Sequence, residues 1–248
     1  MSKSIALIPV KGPITSGSQA LVPILGSWNT PERTSKMIER AEDEDVDGVI
    51  FEIDSPGGTP YPSKELAQKV KELKIPTVAC IKENGLSGAY WIASSCDKIV
   101  ADELSKVGGL GVAAVRLDFS EFFKKLGIKF DTSASGEYKE LGLPLGGRGD
   151  EELMEEQLEA VNEIFREKIA ENRNLDEQEV EKIFEGKPYL GKDAKEAGLV
   201  DRLGGREEAI KIIKETLGAE EIEVHDYGEK MREESEGFMG KVIKKFFG

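Results

Sequence analysis

Two short stretches carry residue types that could do chemistry together. The first is Asp54-Ser55-Pro56-Gly57-Gly58, which follows the apolar run Gly48–Ile53. Pro56 removes a backbone N–H and fixes φ, so an extended strand should stop there. Gly57 and Gly58 then permit positive φ and leave backbone N–H groups bare of side chains. Bare N–H groups at a strand end suit a developing oxyanion, although a plain strand-ending turn has the same composition. The second stretch is Asn84-Gly85-Leu86-Ser87-Gly88-Ala89-Tyr90. It also follows an apolar run, Pro76–Ile81, and it also opens a helix. One right-handed strand–helix–strand unit would set the two loops side by side.

Ser87 falls where a strand gives way to a helix N-terminus, a place that favours negative charge on a nucleophile and on the oxyanion it creates. Serine is equally a common helix N-cap, so the position alone leaves both roles open. The chain has one histidine, His225, within the acidic stretch Glu220–Asp226. A Ser–His–Asp triad would have to use it, and a Cys80 nucleophile meets the same shortage. A lysine base is the alternative, because a desolvated lysine can hold a neutral amine near neutral pH. Lys139 is one candidate: it lies in the Gly- and Ser-bearing segment Ser135–Gly142 rather than on a charged helix face.

These residues need a frame, and the sequence supplies one. Strands are predicted over 4–10, 48–53, 76–82, 98–101 and 127–132. Helices are predicted over 31–44, 63–73, 87–95, 118–126, 150–172, 176–184 and 206–217, with Thr30 as an N-cap before Pro31. Strand–helix alternation implies a parallel, layered α/β core. Residues 14–30 read as a long apolar-studded loop, of the kind that is often functional. Hydrophobic residues make up 39% of the 248, enough for a proper core. The balance of 34 Lys and Arg against 48 Asp and Glu gives −14, which argues against general nucleic-acid binding. Cys80 and Cys96 sit in or beside apolar runs and read as reduced, buried cysteines. The N-terminal apolar run is too short for a signal peptide or a membrane span, so a cytoplasmic or peripheral location is expected.

The ordered set Ser55-Pro56-Gly57-Gly58, Leu86–Ile92, Gly108–Val112, Ser135–Lys139 and Gly198–Asp201 resembles the signal peptide peptidase A (protease IV) family in its short single-domain form. The resemblance covers about residues 4–217. It implies a ClpP/crotonase-like α/β fold of repeated ββα units, a layered parallel sheet with flanking helices. It implies a serine nucleophile at Ser87, a lysine general base at Lys139, and oxyanion donors at the backbone N–H groups of Gly58 and Gly88. It implies hydrophobic peptide substrates such as remnant signal peptides, a homo-oligomeric ring or dome, and neither an organic cofactor nor a metal. The chain departs from the family at Gly109, where relatives carry a serine that helps hold the lysine amine, and at Ala89, where they carry glycine. Two other readings of the same fold are a crotonase-like acyl-CoA enzyme and a catalytically inactive scaffold.

The expected organisation is a peptidase domain over 1–226 and an acidic linker with an amphipathic helix over 227–248. In that tail Phe238, Met239, Val242, Ile243, Phe246 and Phe247 share one helical face, with Lys241, Lys244 and Lys245 mostly on another. Such a helix suits either docking within an oligomer or peripheral membrane contact through residues 238–247.

Overall fold

The computed structural model describes residues 3–16, 30–115, 118–129, 135–136 and 150–234. The chain divides into two compact units, residues 1–110 with 167–248, and residues 111–166.

In chain order the elements are β1 (Lys3–Lys11), α1 (Pro31–Asp43), β2 (Gly48–Ser55), α2 (Pro60–Glu72), β3 (Thr77–Leu86), α3 (Gly88–Ser94), β4 (Lys98–Ala101) and β5 (Lys106–Gly108). There follow α4 (Ser120–Lys125), α5 (Asp150–Arg173), α6 (Glu177–Ile183), β6 (Pro188–Leu190), α7 (Gly191–Glu196), β7 (Arg202–Leu203), α8 (Arg206–Leu217) and β8 (Ile222–Asp226). The first unit is built on one sheet in the order β6-β5-β3-β2-β1-β8, with β4 pairing β3 and β7. All pairs are parallel except β5 with β6. This is the layered α/β architecture expected from the sequence.

Both faces of the sheet are covered, which is why its strands read as continuous apolar runs rather than alternating ones. On one face Ile5, Leu7, Ile50, Val78 and Cys80 pack against Ala209, Ile212 and Ile213 of α8. The alternate residues, among them Ile8, Phe51, Ile53 and Ala79, are also fully buried; α1 packs on β1, α3 packs on β2 and β3, and α2 packs on α1 and α3. Thr30 caps α1 as expected, its hydroxyl accepting the Arg33 N–H at 3.4 Å, with Pro31 in the first turn.

Four elements differ from the sequence reading. Helix α2 starts at Pro60 rather than Ser63, because proline's fixed φ suits the first helical position after Thr59. Strand β3 runs on to Leu86 rather than stopping near 82, because it changes partner midway. Its residues Val78–Ile81 pair β4, while Asn84–Leu86 pair β5. Gly85 makes this second stretch feasible, since a Cβ there would come within 2.8 Å of the Ile81 side chain. The strand expected over 127–132 is not seen at 127–129, where Gly127 turns the chain at φ +71°; residues 130–132 lie outside the described residues. Finally, α8 is not the last element. Residues Ile222–Asp226 form β8 alongside β1. Residues 227–234, expected as linker, are helical. Tyr227 is fully buried and its hydroxyl donates to Glu44 at 2.7 Å, while Arg40 reaches Glu234 at 3.0 Å.

The second unit contains α4 and most of α5. Its described part includes Phe119, Phe122 and Phe123, whose rings meet edge-on at centroid separations of 6.4 and 5.6 Å.

Candidate active site

Ser87 stands between β3 and α3 with φ +51° and ψ −122°. Its N–H donates to the Gly108 carbonyl of β5 at 2.7 Å, and its own carbonyl accepts the Trp91 N–H at 3.1 Å. An N-cap serine would hold an extended φ and bond its hydroxyl to the first helical turn. Ser87 does neither: its side chain makes no capping bond. The helix is entered through strained backbone, at a cost of about 1–3 kcal/mol, and the hydroxyl is left uncommitted at a half-buried position. A serine on a sharp strand-to-helix turn is a recurrent way to present a nucleophile.

The Ser55–Gly58 loop lies against this turn. A Cβ added to Gly57 would fall 2.9 Å from both the Gly88 nitrogen and the Ser87 Cβ, and one added to Gly88 would fall 3.6 Å from the Gly58 nitrogen. Ile14 forms a parallel bridge with Gly58: its N–H donates to the Gly57 carbonyl at 2.9 Å, and its carbonyl accepts the Thr59 N–H at 2.9 Å. In such a bridge the N–H of Gly58 itself points away from Ile14. Neither the Gly58 nor the Gly88 N–H has a hydrogen-bond partner among the described residues. Asp54 ties the two loops together, its carboxylate accepting the Asn84 backbone N–H at 3.1 Å and the side-chain amide at 3.4 Å. Gly58 and Gly88 must be glycines here, since a Cβ would collide with the Ile14 carbonyl in one case and with Ser63 Oγ in the other.

The remaining candidates separate cleanly. Lys139 lies outside the described residues, as do residues 17–29 of the long loop and the whole apolar face of the tail helix. His225 sits on β8 in register with Ala6, which pairs Val49, which pairs Thr77. Ser87 is ten residues beyond Thr77 and three strands across. At about 3.3 Å per residue, that puts His225 about 30 Å away along the strands, so it takes no part. Cys80 and Cys96 are free and buried. Burial pushes the Cys80 thiol up to about 11, and the Cys96 thiol is pushed further still for the same reason, so neither forms a thiolate nucleophile. Gly109 has φ +56°, where a serine would itself be strained. Among the described residues no group of three or more His, Cys, Asp or Glu is placed to hold a metal ion, and no helix is long and apolar enough to cross a membrane.

The supporting roles of several motif residues escaped the sequence reading. Ser55 is fully buried and its Oγ accepts the Gly57 N–H at 3.1 Å. A serine two residues before a glycine is the available signal for such a turn. The Gly198–Asp201 motif turns out to be a clamp. The Leu199 carbonyl accepts from the buried Tyr90 hydroxyl at 2.8 Å, which holds α3. Asp201 accepts from the Ile99 N–H at 2.7 Å and from Arg173 at 3.1 Å, which ties β4 to the end of α5.

Parallel strands that end in glycine-lined loops beside a strained serine define a layered α/β protein of ClpP-like fold. The same fold is found in a membrane-bound stomatin-specific protease, with a TM-score of 0.56 over 85% of this chain and 84% of that one at 15% identity. The profile of Peptidase family S49 matches residues 69–220, and the chain belongs to that family. It is 36% identical over 211 residues to a Methanocaldococcus jannaschii protein named as a candidate protease, covering 84% of this chain and 67% of the relative. It is 30% identical over 252 residues to an Enterococcus faecium protein named as a candidate signal peptide peptidase SppA, covering 100% of this chain and 73% of the relative. This is the family that the motifs resemble.

Proposed function

We propose that the chain is a serine endopeptidase with a Ser87–Lys139 dyad that cuts apolar peptide segments. The observation that carries the reading is the uncommitted Ser87 hydroxyl on strained backbone, beside two N–H groups, of Gly58 and Gly88, without partners among the described residues. In this mechanism Ser87 Oγ attacks the scissile carbonyl carbon while its proton passes to the neutral Lys139 amine. The carbonyl oxygen becomes an oxyanion and accepts from Gly58 and Gly88. Collapse breaks the C–N bond, the ammonium returns its proton to the leaving amine, and an acyl ester remains on Ser87. Water, deprotonated by Lys139, then attacks the ester; the bond to Ser87 Oγ breaks, the acid leaves, and the lysine ammonium returns the proton to Oγ. The substrate class, a ring- or dome-shaped homo-oligomer and a tail that docks within it belong to the same proposal, on the strength of the family. The docked helix 227–234 would then be part of the peptidase body.

The test is cleavage of a fluorogenic apolar peptide together with labelling by a fluorophosphonate. Ser87→Ala should abolish both, as removal of a nucleophile leaves only residual catalysis. Lys139→Ala and Lys139→Arg should lose cleavage to a similar extent, because arginine cannot give up its proton. Wild-type activity should rise with pH as the lysine amine deprotonates. Cleavage retained in Ser87→Ala overturns the nucleophile, and cleavage retained in Lys139→Arg overturns the base. Wild-type protein that neither labels nor cleaves would favour the scaffold or acyl-CoA reading.

A further inference from the structure

Oxyanion donors work only if they are already aimed when charge develops. The Gly58 N–H belongs to the peptide unit between two glycines, and that unit rotates more freely than any other type. If it turned over, the Gly57 carbonyl would face Ser87 in place of the Gly58 N–H, and the site would repel the charge it must bind. Something outside the two glycines must therefore fix it.

The structure has two such restraints, one at each end of Gly57. At its carbonyl end, the Ile14 N–H holds the Gly57 oxygen at 2.9 Å, which turns the Gly58 N–H the opposite way. At its amide end, the Ser55 hydroxyl holds the Gly57 N–H at 3.1 Å. With both ends pinned, Gly57 is held at φ +91°, a value that no other residue type adopts readily. Ser55 is 0% exposed, so its hydroxyl is out of reach of bulk water. It is also anchored on β2, where the register against β3 shifts between Ile53 and Ser55, the latter facing Gly85. The serine is thus built into the strand beside the one that ends at Ser87.

We propose that Ser55 is a positioning residue for catalysis: by holding the Gly57 N–H it keeps the Gly58 N–H aimed at the oxyanion formed on the Ser87 adduct. The inference rests on the Ser87 reading and adds a residue that never touches substrate. Removing an oxyanion donor outright costs about a hundred- to a thousandfold in kcat. Loosening one is bounded by that figure, so Ser55→Ala should lower kcat about ten- to a hundredfold. KM should change little, because substrate binding does not use the oxyanion. Binding of a peptide aldehyde, whose hemiacetal oxygen occupies the same place, should weaken by the same factor as kcat. Ser55→Thr keeps the hydroxyl and should recover most of the rate. Ile14→Pro deletes the N–H at the other end and should also lower kcat more than it raises KM.

The decisive experiment measures kcat, KM and aldehyde affinity for wild type, Ser55→Ala, Ser55→Thr, Ile14→Pro and Ser87→Ala, with thermal melting of each. A selective kcat and aldehyde loss in Ser55→Ala, rescued in Ser55→Thr, supports the proposal. If Ser55→Ala does not fold, the kcat-to-KM split of Ile14→Pro decides. An inactive Ser87→Ala beside a fully active Ser55→Ala overturns the positioning role alone. Losses in kcat and KM alike, tracking the fall in melting temperature, reduce Ser55 to a structural residue and overturn it too. Activity retained in Ser87→Ala removes the nucleophile, and this inference falls with it.

Discussion

The strain at Ser87 can be measured without any catalytic assay. A residue with a Cβ at φ +51° and ψ −122° costs about 1–3 kcal/mol relative to relaxed backbone. Replacing it by alanine keeps the Cβ and so keeps the strain. Since the Ser87 hydroxyl makes no capping bond, Ser87→Ala should leave stability nearly unchanged. Ser87→Gly removes the strain but restores unfolded-state freedom worth about 0.4–1 kcal/mol. The balance makes Ser87→Gly more stable than Ser87→Ala by about 0.5–2 kcal/mol. For a chain of this size about 2–4 °C corresponds to each kcal/mol, so the melting temperatures should differ by about 1–8 °C. Scanning calorimetry on the two variants in one buffer gives the difference directly. Both lack the Ser87 hydroxyl, so self-cleavage through it does not disturb the comparison. A protein with glycine at 87 that melts at or below its alanine counterpart would refute the idea that this turn stores strain for function.

Gly88→Ala should be destabilised by about 1–3 kcal/mol, because its methyl would overlap Ser63 Oγ and fall 2.8 Å from Ser63 Cβ. Adding Ser63→Gly should recover part of that loss; strictly additive losses in urea unfolding would count against the contact. A separate prediction concerns acid. The Arg40 guanidinium, followed by the Tyr227 hydroxyl, holds the Glu44 carboxyl down at about 2 from its ordinary 4.5. A depressed carboxylate contributes stability that is fully present above the unfolded value and is lost as pH falls. Hydrogen-exchange protection of residues 227–234 should therefore decline between about pH 4.5 and pH 2 and hold steady above it. Glu44→Gln should flatten that profile, and an equally steep decline in the variant would assign it to other groups.

What the sequence made legible follows from which forces are local. The cap at Thr30, the end of β2 after Ser55 and helix α8 over 206–217 rest on neighbours in the chain, and they appear where the residue types put them. The length of β3 was not legible, because residues 84–86 are strand only by virtue of β5, twenty residues further on. Nor was β8: Ile222–Asp226 is a charged, weakly patterned stretch that becomes a strand by pairing with β1 at the far end of the chain. The juxtaposition of the two glycine loops could be read from strand–helix–strand logic. The hold that Ile14 and Ser55 exert on Gly57 could not, since one is a backbone contact and the other depends on a register shift.

The distribution of left-handed backbone separates folding from function in this chain. Among the described residues three non-glycines have positive φ: Asp45, Ser87 and Asn174. Asp45 and Asn174 follow helices α1 and α5, in turns, and their short polar side chains tolerate that conformation. Ser87 is of a less tolerant type and follows a strand. Around it, Gly57 follows β2, while Gly108 and Gly109 end β5, at φ +91°, +92° and +56°. Three adjacent parallel strands thus finish in backbone that folding alone does not favour. Each could have ended in an ordinary turn at lower cost. The departures meet at the Ser87 turn: the Gly108 carbonyl accepts from the Ser87 N–H at 2.7 Å, and a Cβ added to Gly57 would fall 2.9 Å from both the Gly88 nitrogen and the Ser87 Cβ. Positive-φ backbone clustered at the ends of three adjacent strands is the pattern that the proposed role of Ser87 requires.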